Sequence, residues 1–82
     1  ELQTIGGNNI AIGELALGDL NKTTGTEGAE NIAIGKYAGH NGTNNLTTGK
    51  ANTLLGYGTN TSAAGAINQT VIGNDIVMDK EQ

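Results

Sequence analysis

With 82 residues and a formal net charge of −4, the chain is one small domain at most, and it lacks the basic footprint that nucleic acid or an anionic membrane requires. The absence of cysteine excludes a disulfide framework and a thiolate metal site. Phe, Trp and Pro are also absent, so a core has to be assembled from Ile, Leu, Val and Ala. Gly, Asn and Thr supply 14, 11 and 11 residues, a bias unlike that of a helical bundle or an ordinary enzyme domain. No stretch is long and apolar enough to span a bilayer, and no basic-then-apolar leader opens the chain. Beginning at Glu1 without a start Met, the sequence reads as a segment of something longer.

In chain order the first element is "NIAIG" at 9–13, after a half-formed "TIGG" at 4–7. "ELALG" follows as a short second-strand candidate, and then the polar spacer "DLNKTTGTEGAE" at 19–30. "NIAIG" returns at 31–35, followed by "KYAG" and the spacer "HNGTNNLTTGKA" at 40–51. "NTLLG" occupies 52–56, with "YGTNTSAAG" and the spacer 59–68 behind it, and "QTVIG" occupies 69–73. The closing glycines are therefore spaced by 22, 21 and 17 residues, which makes this a repeat chain with unequal loops. Alternating, partly β-branched residues closed by glycine predict a short strand, the glycine serving a sharp turn. Helical periodicity is convincing nowhere; "GELALGDL" at 13–20 could make a turn or two of helix, but its glycines count against it.

Each rung is too short to bury its own face, so stacked rungs must share one core. The predicted fold is all-β, a parallel β-roll, β-solenoid or β-prism. The repeat domain covers 1–75, with rungs near 9–13, 31–35, 52–56 and 69–73, and a C-terminal junction or cap covers 76–82. At its start, Gly73–Asn74 reads as a two-residue hairpin turn with Asp75–Asp79 returning as a strand. Along each rung, Ile12, Ile34, Leu55 and Ile72 are expected to fill the coil interior. Ala11, Ala33, Leu54 and Val71 lie on the opposite face, which a neighbouring copy of the chain would cover. Asn9, Asn31 and Asn52, with Gln69 in the fourth rung, are expected to stack as a hydrogen-bonded amide ladder.

Catalytic patterns are missing. His40 and Ser62 are the only residues of their types, and His40 sits in a polar turn, where an exposed loop histidine is the plain expectation. The eight acids are scattered, without an apolar pocket to tune them, so no enzyme is expected. "GTNNLTTGKA" at 42–51 fails as a phosphate loop, because its glycines are misplaced and Ala51 stands where Ser or Thr is required. Asp19, Asn21, Thr23, Glu27 and Glu30 fall at oxygen-ligand positions of a calcium loop, but Thr24 replaces the turn glycine. A solvated acidic loop, with no metal and no cofactor, is the expectation there. The Asn-x-Ser/Thr triplets follow from composition and carry no glycosylation argument.

The stretches "NNIAIGELALGDLN", "ENIAIGKYAG" and "NTLLGYGTNTSAAGAINQTVIGND" resemble the repeats of YadA-type trimeric autotransporter adhesin heads, and more closely those of phage tail-fibre and related bacterial fibre proteins. The likeness runs through roughly residues 8–75. The longer, uneven spacing favours the tail-fibre branch over a regular adhesin head. The resemblance implies a homotrimer about a common axis, located on a cell surface or virion fibre, with Ala11, Ala33, Leu54 and Val71 at the trimer interface. It further implies a structural or adhesive role, with loops presented to a cell-surface receptor or glycan. A purely architectural shaft is the alternative. Tyr37 and Tyr57, with His40 between them in sequence, are the residues expected to contact a ligand.

Overall fold

The computed structural model describes residues 8–18, 28–42 and 44–79. Four three-residue strands form one sheet: β1 (Ile10–Ile12), β2 (Ile32–Ile34), β3 (Thr53–Leu55) and β4 (Thr70–Ile72). They add in chain order and every neighbouring pair is parallel. The register follows the repeat: Ile10, Ile32, Thr53 and Thr70 lie in one row, Ala11, Ala33, Leu54 and Val71 in the next, and Ile12, Ile34, Leu55 and Ile72 in the third. The fold is all-β, and no helix among the described residues is long and apolar enough to cross a membrane.

Between strands the chain returns through two further hydrogen-bonded columns. In one, Leu17 N–H donates to Ala38 O (2.8 Å), Gly39 N–H to Thr59 O (2.8 Å) and Asn60 N–H to Ile76 O (2.9 Å). In the other, Ala51 N–H donates to Ala29 O (3.0 Å), Lys50 N–H to Ala66 O (3.0 Å) and Asn68 N–H to Lys50 O (3.1 Å). The first three coils are thus tied to one another on three sides and the fourth to the third on two, and long-range parallel pairing, not local structure, holds the chain.

The two strand faces are reversed from the sequence expectation. Ala11, Ala33 and Leu54 are wholly buried and Val71 nearly so, together with Ala16, Leu17, Ala38 and Leu46, with Met78 packed alongside. Ala11, Ala33, Leu54 and Val71 therefore fill the interior of a single chain and cannot form a trimer interface. Ile12 (48%), Leu55 (43%) and Ile72 (63%) are exposed and Ile34 is half-buried, so this row is not the coil core. Volume is the physical reason. The narrow coil already admits Leu17 and Leu46 from the connecting segments, which leaves room for only alanine at the inner positions of β1 and β2.

The connecting segments differ from expectation too. "ELALG" and "KYAG" are turns, because Leu15, Leu17 and Tyr37 adopt left-handed backbone (φ 61°, 55° and 65°) that no strand continues. The expected hairpin at Gly73–Asn74 is absent. Residues 74–78 run on in the same sense, Val77 bridging Asn60 in parallel, with Ile76 packed over Gly73 where a further coil would lie.

One regularity has no counterpart in residue type. The residue before each ladder amide is left-handed: Asn8 (φ 64°), Glu30 (62°), Ala51 (59°) and Asn68 (59°). Asparagine tolerates this conformation and glycine is indifferent to it, whereas alanine is strained. Ala51 is exposed, and its N–H bond to Ala29 O survives substitution. Ala51→Gly is therefore expected to stabilise the fold by about 0.5–1 kcal/mol, opposite to the usual sign for that change. Thermal unfolding of the two proteins checks it.

Candidate functional site

Three features carry the interaction chemistry. The first is internal: Asn9, Asn31, Asn52 and Gln69 are all buried polar side chains, and they form the expected amide ladder. Asn31 N–H and Nδ2 donate to Asn9 Oδ1 (2.9 and 3.2 Å), and Asn52 N–H and Nδ2 donate to Asn31 Oδ1 (3.1 and 3.0 Å). Gln69 N–H continues the series to Asn52 Oδ1 (2.9 Å). Each asparagine also satisfies a backbone carbonyl on the returning segment: Gly28 O (2.6 Å), Gly49 O (2.9 Å) and Ala66 O (2.8 Å). Gln69, one methylene longer, turns aside to Ser62, its Oε1 accepting from Ser62 N–H (2.9 Å) and its Nε2 donating to Ser62 Oγ (2.8 Å). The ladder is a scaffold whose groups are spent on the next coil, not a ligand site.

The second feature is the outward face of the sheet. Ile10, Ile12, Ile32, Leu55 and Ile72 are exposed there beside half-buried Ile34, interrupted only by Thr53 and Thr70. Ile12, Ile34, Leu55 and Ile72 form one row across all four strands, and Ile10 and Ile32 a second, adjacent row confined to β1 and β2. A contiguous apolar patch of this kind is uncommon on a monomer, which makes this face the candidate association surface. A sheet face also requires a covering layer, which the described residues of this chain do not provide.

The third feature lies on the turn column. Residues following the strand-closing glycines stack in register, placing Glu14, Lys36 and Tyr57 in one line. Lys36 Nζ lies 3.4 Å from Glu14 Oε1 and 5.1 Å from the centre of the Tyr37 ring. The Glu14 carboxylate is the main cause of an upward shift in the Lys36 pKa, reinforced by Tyr37. The Lys36–Glu14 ion pair is solvent-exposed and correspondingly weak. Tyr37 and Tyr57 pack edge to face, with ring centres 5.8 Å apart at 64°.

The structure therefore brings together two of the three residues expected to contact a ligand. His40 is held to Tyr37 through the main chain, its backbone N–H donating to Tyr37 O (2.9 Å), while its half-buried ring lies against Gly18 of the preceding coil. The Glu14–Lys36–Tyr57 line was available from the repeat, since all three directly follow a closing glycine. The acidic loop considered for calcium falls mostly on 19–27, outside the described residues, as does the half-rung at 4–7. Among the described residues, no group of three or more His, Cys, Asp or Glu is placed to hold a metal ion. Compared with family models, curated proteins and solved structures, the chain finds no match.

Proposed function

We propose that this chain is one segment of a homotrimeric fibre at a cell surface or on a virion, a β-roll or β-prism that holds loops out for a receptor or glycan. The observation that carries the reading is the apolar outer sheet face, with Ile10, Ile12, Ile32 and Leu55 exposed in register. Three such faces turned towards a common axis would cover one another. The interface is accordingly proposed on the isoleucine rows and not on the alanine row. The buried amide ladder supports it by making each coil a rigid, repeatable spacer, and the role is structural and adhesive, with no catalytic step.

Leu55→Asp puts a charge at the centre of that face while leaving the single-chain interior untouched. It is expected to convert a trimer to a monomer with unchanged circular dichroism, which sedimentation velocity reads. An unchanged sedimentation coefficient would remove the outer face from the interface.

The alternative, a shaft with no ligand of its own, is favoured by the tyrosines' packing on each other. Binding to a glycan array or to cells separates the two readings. A tip predicts at least a roughly tenfold loss of binding in the Tyr37→Ala, Tyr57→Ala double variant, the scale of one buried aromatic contact. A shaft predicts no binding by either protein.

A further inference from the structure

The chain has a single Asn-Gly step, Asn41–Gly42, in the second coil beyond β2. Every other asparagine precedes a residue with a side chain, which obstructs attack by the following backbone nitrogen on the amide carbon. Gly42 presents no such obstruction: it is exposed, with φ 96°, and a Cβ built there would meet nothing within 4 Å. Sequence and local space both mark this bond as the one prone to deamidation.

Both reacting groups are nevertheless engaged. Asn41 Nδ2 donates to Gly58 O (2.7 Å) and Asn41 Oδ1 accepts from Asn60 Nδ2 (3.1 Å), so the amide is stretched across to the third coil. The Gly42 N–H, which would have to attack, donates to Asn45 Oδ1 (2.7 Å). Ring closure requires the Asn41 side chain to leave the neighbouring coil and the Gly42 N–H to leave Asn45.

We propose that Asn41–Gly42 is a conditional deamidation site, shut while the second and third coils are stacked and open once they part. In the open chain the Gly42 nitrogen bonds to Asn41 Cγ, giving up its proton, and Nδ2 leaves as ammonia. Water then opens the resulting succinimide at either carbonyl, yielding aspartate or isoaspartate. The product cannot return to the original contact. A carboxylate has no N–H for Gly58 O and repels it, and isoaspartate lengthens the backbone by one atom. A coil that has once separated is therefore left permanently weaker at this joint.

The full chain is held in native buffer and, in parallel, in urea, at the same mildly alkaline pH, and peptide mass spectrometry follows conversion at residue 41. The native protein is expected to convert at least about tenfold more slowly, because reaction waits on local opening. Asn45→Ala is expected to raise the native rate by releasing the Gly42 N–H, while Gly42→Ala slows conversion in urea. Asn41→Asp, mimicking the product, is expected to melt below the wild type. Equal rates in native buffer and urea, or a native rate indifferent to Asn45→Ala, would overturn the proposal. So would an Asn41→Asp protein as stable as the wild type.

Discussion

Asn31→Asp is expected to unfold most of the protein at neutral pH, although the substitution exchanges a single nitrogen for oxygen. Asn31 Nδ2 now donates to Gly49 O (2.9 Å) and to Asn9 Oδ1 (3.2 Å), both acceptors, within a fully buried site. A carboxylate keeps the bonds received from Asn52 but turns its second oxygen onto those two acceptors. The charge is buried with no cation beside it, and the loss is roughly 3–5 kcal/mol, most of the stability available to a domain of this size. The sign with pH follows. Burial and the facing oxygens raise the folded-state pKa of the new carboxyl above its unfolded value of about 3.9. The deficit is thus smallest below that unfolded value, where the group is protonated in both states, and grows as pH rises through the folded one. Circular dichroism melts of Asn31→Asp should therefore show partial recovery in acid, unlike the wild type. A variant that melts like the wild type at neutral pH would mean the ladder is not what joins the coils.

Gly35→Ala is expected to cost roughly 2–4 kcal/mol, more than its single added methyl suggests. Gly35 has φ 131°, outside the left-handed well that alanine tolerates, and its hydrogen faces the next coil. A Cβ would lie 2.6 Å from the carbonyl carbon and oxygen of Gly56. Gly13 stands over Gly35 in the same way, at 2.7 Å. These contacts are with backbone, which cannot turn aside, so relief requires the coils to separate along the strand edge. Urea denaturation measures the loss. A Gly35→Ala protein with an unchanged midpoint would place the closing glycines outside the stacked column.

The repeat made the strands, their parallel order and the amide ladder legible in advance. Alternation within "NIAIG" showed that Ala33 and Ile34 occupy opposite faces, but not which faces inward, because both rows are apolar. Greater hydrophobicity pointed to Ile34, whereas the deciding quantity was space. Leu17 and Leu46 enter from the returning segments and leave alanine as the residue that fits. Leu17 enters through a turn in which Leu15 and Leu17 are themselves left-handed, and nothing in those residue types announces that conformation. The same holds for Glu30 and Ala51, where three-dimensional closure overrides local preference. Gly73–Asn74 carried a genuine hairpin signal, but the column ending in Asn60 offered Val77 a parallel partner instead.

The central claim is that the chain's outer sheet face is an interface among copies of itself. Light scattering on the wild-type protein at micromolar concentration tests it most directly. The predicted result is three times the 8.3 kDa chain mass, falling to one chain mass in Leu55→Asp. A wild-type mass of one chain, with the isoleucine rows left facing water, would contradict it.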